Sequence, residues 1–147
     1  LDAALNLVAL AVNKGGIDIV LCIDQRHLFR LAPVIQELLG NPGIVRNKAK
    51  VNAIIKNANI VLEIQQDFGS LDAYLWKFTG GVTIHNKWQT LADIPATSPI
   101  SDAMSKDMIG RGFKFCGSTI LYAFMQAAGL VNDHIVSCYR YQELHKG

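Results

Sequence analysis

The 147-residue sequence predicts a compact, mostly α-helical single domain, and three observations carry that expectation. Apolar residues recur at three-to-four spacing through much of the chain from residue 47 onward. Glycine and proline punctuate the ends of those stretches. The chain is 50% hydrophobic and 18% charged, which excludes a disordered tail and is enough for one buried core.

The first forty residues are the least periodic. Leu1 to Val12 reads as a helix, Gly15-Gly16 as a break, and His27 to Leu39 as a helix despite Pro33. Ile17 to Cys22 is rich in β-branched residues and fits a strand or a helix. Asn41-Pro42-Gly43 is a turn signal. Beyond it, Val51, Ile54, Ile55, Ala58, Val61 and Leu62 mark one face of a helix from Asn47 to Phe68, with Lys48, Lys50, Lys56 and Asn57 on or near the other side. Gly69 is placed to stop that helix, and Ser70 to cap a short one reaching Trp76 or Phe78.

Gly80-Gly81 ends this second helix, and residues 80 to 87 are the stretch that fits an extended segment. Ser98-Pro99 reads as an N-cap followed by proline at the first helical position, opening a helix to Ile109. After the glycine-bracketed turn Gly110 to Gly117, Ser118 to Ala128 is apolar on nearly every side, as a central buried helix would be, and ends at Gly129. Asn132 or Asp133 can cap a last helix through Leu144. There is no internal repeat, low-complexity run or linker.

The longest apolar stretches fall short of the roughly 20 residues that span a bilayer, so no membrane association is expected, and no signal peptide is visible. Fourteen Lys and Arg against twelve Asp and Glu permit a polyanionic partner without requiring one. Cys22, Cys116 and Cys138 are widely and irregularly spaced, which fits reduced thiols rather than a disulfide framework.

Two patches are suited to phosphate. Gly43 to Lys50 feeds a turn into a helix N-terminus beside Arg46, Lys48 and Lys50; the alternative is a solvated basic face. Lys106 to Thr119 places Arg111 and Lys114 in a glycine-rich turn between helices, where backbone N–H groups can hold phosphate without reading sequence. Its alternative is a packing turn. His134 and Cys138, four apart on the expected last helix, would share a face and can share a metal, although a core histidine and a buried thiol fit the same spacing.

The segments PGIVRNKAKVNAII (Pro42 to Ile55), GSLDAYLWKF (Gly69 to Phe78), SDAMSK (Ser101 to Lys106) and RGFKFCGSTILYAFMQAAGLVNDHIVSC (Arg111 to Cys138) closely resemble the DNA-3-methyladenine glycosylase I family of the helix-hairpin-helix superfamily. The resemblance covers about residues 40 to 144, leaving 1 to 39 divergent. It implies a helical glycosylase fold and a bacterial cytoplasmic enzyme of base-excision repair. The implied reaction is hydrolysis of the N-glycosidic bond of 3-methyladenine in alkylated double-stranded DNA. The enzyme is expected to be monomeric and without a catalytic cofactor, and, since no lysine is placed as a Schiff-base nucleophile, to be monofunctional without strand-cleaving lyase activity.

The resemblance implies a phosphate-gripping hairpin at Gly112, Lys114, Gly117 and Thr119, with Arg111 and Lys114 as charge partners and Lys48 as a further DNA contact. It also implies that His134 and Cys138 are half of a structural Zn²⁺ site whose other Cys and His lie in an N-terminal segment that this chain does not show. Cys22 and His27 match no such motif, and Cys116 stands where relatives carry an apolar residue. Family members build their base pocket from an aromatic, His-rich N-terminal stretch and a Glu-bearing block, neither of which is present, so no catalytic residue is assigned. An incomplete or altered N-terminal sequence is the expected reason. Asp133 is expected to cap a helix rather than act as a general base. The competing readings are a DNA-binding module without a base pocket, and a helical interaction domain without nucleic acid.

Overall fold

A computed structural model describes residues 7–13, 16–22, 39–43 and 47–145. They fall into two compact units. One holds the chain up to Leu71 together with Arg111–Phe115; the other holds Asp72–Gly110 and Cys116 onward.

In the first unit, β1 (Leu7–Asn13) and β2 (Gly16–Cys22) form an antiparallel pair with irregular register between Leu7 and Val12. This corrects the helix expected over Leu1 to Val12. A run that is apolar at nearly every position carries no helical period, and the β-branched segment after Gly16 supplies a pairing partner. The helix α1 (Lys48–Phe68) lies against β1. Asn47 Oδ1 accepts from the Lys50 N–H at 3.1 Å, and Gly69, at φ 82°, closes the C-terminus by donating to the Gln65 carbonyl. Val51, Ala53, Ala58, Ile60, Val61 and Ile64 are buried. So is Asn57, which the periodicity placed on or near the polar side. The helix expected over His27 to Leu39 lies almost wholly outside the described residues.

The second unit begins with α2 (Leu71–Trp76), continued by a 3₁₀ turn over Lys77–Thr79 and broken where Gly80 and Gly81 take positive φ. Tyr74 is wholly buried; its hydroxyl donates to Asp107 at 2.6 Å and its ring meets Phe78 edge-on. A two-residue strand β3 (Ile84–His85) runs parallel to β4 (Val131–Asn132).

The helices α3 (Pro99–Gly110) and α4 (Ser118–Ala128) pack together. Ser98 and Ser101 cap each other reciprocally at the start of α3, Ser101 Oγ meets Ser118 Oγ at 2.8 Å, and Ser118 donates to Asp102. Ser105 Oγ donates to the buried Cys116 carbonyl at 2.8 Å. This ladder of small hydroxyls fixes which stripe of α4 turns inward. Leu121, Tyr122 and Met125 are buried, whereas Ile120 is 43% exposed and Ala127 and Ala128 face solvent. The helix is therefore buried on one side, not all round as its composition predicted.

The last helix, α5 (Tyr139–His145), starts later than expected. Val131 and Asn132 are taken by the ladder with β3, and Val136 donates to the Trp88 carbonyl, so residues 133 to 138 form a turn. Asp133 caps nothing.

Candidate functional site

The segment joining α3 to α4 runs from Arg111 to Gly117. Arg111–Phe115 clusters with α1 in the first unit. The Arg111 guanidinium pairs with Asp67 at 3.2 Å and stands 4.9 Å from the Phe68 ring centroid. Gly112 has φ 99°, and a Cβ there would lie 3.6 Å from Ile60 Cδ1 and Lys56 Cε. Glycine is needed for the backbone conformation more than for the space. Phe113 is buried, while Lys114 and Phe115 are exposed. Phe115 takes φ 58°, a left-handed conformation uncommon for a large L-residue, and its ring lies 5.9 Å from Lys50 Nζ. Among the described residues, no carboxylate pairs with Lys50, Lys56 or Lys114.

The structure thus brings Lys50 of the first basic patch beside Phe115, the residue after Lys114 of the second. Lys48 opens α1 and is exposed; its first turn carries no acidic residue and goes against the usual preference at the positive end of a helix. In the second unit, Gly117 is the N-cap of α4 and offers no side chain to the first N–H groups; Gly117 and Thr119 are exposed. An open, uncapped helix start is suited to an anion.

His134 and Cys138 also meet, with His134 Nδ1 3.7 Å from Cys138 Sγ, although a turn rather than a helical face joins them. Both are zinc-ligand types, so the pair fits half of a tetrahedral site. Among the described residues no cluster of three or more His, Cys, Asp or Glu can hold a metal. Cys116 is a buried free thiol. The side chains of Cys22 and His27 lie outside the described residues.

Sequence reasoning missed the cluster around Asp133. The β3–β4 ladder delivers the residues after β3 to this carboxylate. Asn86 Nδ2 donates to Oδ1 at 2.6 Å, Trp88 Nε1 donates to the same oxygen at 2.8 Å, and Gln126 Nε2 donates to Oδ2 at 2.8 Å. Tyr122 from α4 adds to the stabilisation of the charged form. Burial pushes the Asp133 carboxyl up, but the bonds from Tyr122, Asn86, Gln126 and Trp88 outweigh it and hold the group below the usual carboxylate range. Burial, then the hydrogen bond and charge of Asp133, push the Tyr122 phenol far up.

A carboxylate offers acceptor positions on both oxygens, and here donors take both, two on Oδ1 and one on Oδ2. Asp133 is therefore a fixed anion, not a free base. The one sequence signal was Trp88, a large aromatic in a loop, too little to pair it with residue 133.

The methyladenine glycosylase family profile matches residues 25–141. The chain is 42% identical over 146 residues to DNA-3-methyladenine glycosylase 1 of Escherichia coli (strain K12), covering 90% of this chain and 78% of that protein. It is 38% identical to DNA-3-methyladenine glycosylase of Haemophilus influenzae (strain ATCC 51907 / DSM 11121 / KW20 / Rd), over 78% of this chain and 63% of that one. A crystal structure of 3-methyladenine DNA glycosylase I superposes with a TM-score of 0.69 at 42% identity, covering 78% of this chain and 65% of that one. A single-residue variant of such a glycosylase, solved in complex with 3-methyladenine, superposes at 0.70 with 31% identity, over 74% of this chain and 58% of that one.

Proposed function

The chain belongs to the methyladenine glycosylase family, and from that premise we propose that it is a base-excision repair glycosylase hydrolysing the N-glycosidic bond of 3-methyladenine in alkylated duplex DNA. The observation that carries the reading is the loop Arg111–Phe115, with Lys114 exposed and without a carboxylate partner among the described residues. It is followed in the chain by the uncapped, glycine-led start of α4. Cations and free backbone N–H groups of this kind grip phosphate without reading bases, which suits an enzyme that must scan any sequence for damage.

Lys48, Arg111, Gly112, Lys114, Gly117 and Thr119 make up the proposed phosphate contacts. Arg111 already shares its charge with Asp67, so Lys114 contributes the larger part of the field. The damaged nucleotide leaves the stack, at a cost of a few kcal/mol that is lower for a weakened pair, before its bond to the sugar breaks. Methylation makes the base cationic and a good leaving group, so water can displace it without a strong acid. Asp133 holds its charge in place of accepting a proton and takes no direct part.

His134 and Cys138 would supply two ligands of a structural zinc, half of the site that the family resemblance implies. When bound, the ion would tie the turn before α5 to another segment. The enzyme acts as a monomer in the bacterial cytoplasm. Among the described residues no helix is long and apolar enough to cross a membrane.

Release of free 3-methyladenine from methylated duplex DNA by the purified chain, with binding followed in parallel, tests the reading. Release is the expected result, and it would mean that residues other than the family's N-terminal pocket blocks supply the base pocket. Binding without release would replace the enzyme by a DNA-binding module that lacks a base pocket, and neither would remove DNA from the account.

A further inference from the structure

Asn57 lies in the interior of α1, where asparagine is a poor helix former because its side chain competes for the backbone. Buried at 9% exposure, it must spend its amide on a partner. Both ends of that amide go to one residue of the loop. Nδ2 donates to the Lys114 carbonyl at 2.9 Å, and the Lys114 N–H donates to Oδ1 at 2.9 Å. This is the two-bond pattern that a neighbouring strand offers a residue in an antiparallel ladder, supplied here by one side chain.

The residue clamped in this way carries an exposed cation, and the next, Phe115, is held at positive φ. Gly112 and Arg111 also touch α1, but through side chains of Ile60, Lys56, Asp67 and Phe68. Among the described residues, Asn57 is the side chain that holds the main chain of Lys114. A loop free to fluctuate would lose entropy each time it closed on a phosphate, whereas one already fixed loses little.

We infer that Asn57 is a positioning residue for DNA binding: its carboxamide presets the Lys114 backbone so that the lysine and its neighbouring amides meet the phosphates already ordered. The inference rests on the DNA-repair reading above and names a residue that acts on that site without touching DNA.

The test is binding of the full chain to a short undamaged duplex across a salt series, for the parent, Asn57→Ala, Lys114→Ala and the double variant. Lys114→Ala should weaken binding and remove about one from the slope of log affinity against log salt. Asn57→Ala should weaken binding about tenfold, as for a lost buried anchor, and lower the same slope. Because one residue acts through the other, the double variant should lose clearly less than the product of the two single losses.

A purely structural Asn57 would lower the melting temperature yet leave the slope alone and combine multiplicatively. Either that result or parental affinity in a folded Asn57→Ala overturns the inference. If Asn57→Ala does not fold, Asn57→Asp serves instead: it keeps the acceptor for the Lys114 N–H but turns an oxygen toward the Lys114 carbonyl. Amide exchange at Lys114 in the DNA-free protein should speed up in Asn57→Ala, which removes the acceptor of its N–H, and unchanged protection there rejects the clamp; Asn57→Asp is read by affinity and salt slope. Failure of the parent to bind any duplex rejects the DNA reading itself, and the exchange measurement still separates that failure from a failure of the clamp.

Discussion

The loop Arg111–Phe115 and the cluster around Asp133 both depend on hydrogen-bonded side-chain groups, and they use charge in opposite ways. At Asp133 the charge is buried and both carboxylate oxygens accept hydrogen bonds, from Asn86, Trp88 and Gln126. In the loop the charge of Lys114 is left in water, and the group that is buried and satisfied is the neutral amide of Asn57. The first arrangement spends its charge on holding the fold. The second keeps its charge available for a partner and lets an uncharged group do the holding.

The largest effect that separates them is on stability. Asp133→Ala leaves several partly buried donors without their acceptor and should cost about 3 kcal/mol, read by chemical denaturation. A loss under about 0.5 kcal/mol, the usual size of a surface substitution, would dissolve the contrast. Acid sharpens it. Because the folded Asp133 holds its proton less tightly than the unfolded group, its contribution is complete above the unfolded value near ~4 and is lost as pH falls through the lower folded value. The stability gap between the parent and Asp133→Asn should therefore shrink as pH drops below about 4. A gap independent of pH would show that the charge itself contributes nothing.

Lys114→Ala has the smallest effect on stability, within about 0.5 kcal/mol for an exposed unpaired lysine. Its consequence should appear in salt-dependent DNA affinity instead. A marked fall in stability would mean that the lysine is part of the core and not of an interface.

The helices from residue 47 onward were legible because local chemistry and periodicity agree there. Asn47 and the Ser98-Pro99 pair start helices, Gly69 and Gly129 end them, and the apolar spacing between is helical. What escaped was decided by partners distant in sequence. Leu7–Asn13 has no period of its own and became a strand because Gly16–Cys22 pairs with it. Asn132 and Asp133 look like helix caps until residues 84 to 88 claim them, which delays the last helix to Tyr139. The proposed phosphate residues could be named from glycine spacing and family resemblance. Asn57 could not, since an asparagine among lysines reads as surface until the loop that it binds, 57 residues away, folds over it.

The clamp on Lys114 also bears on how the chain survives degradation. An exposed segment carrying an arginine and a lysine looks like an easy cut for trypsin-like proteases, which need the main chain on either side drawn out and free to pair with the enzyme. Here the N–H and carbonyl of Lys114 are already engaged by Asn57, and the Arg111 side chain is held against Asp67 and Phe68. The loop can stay open to a large polyanion and closed to a protease, because the first needs the exposed lysine and the amides left free, and the second must take hold of the Lys114 main chain that Asn57 already occupies.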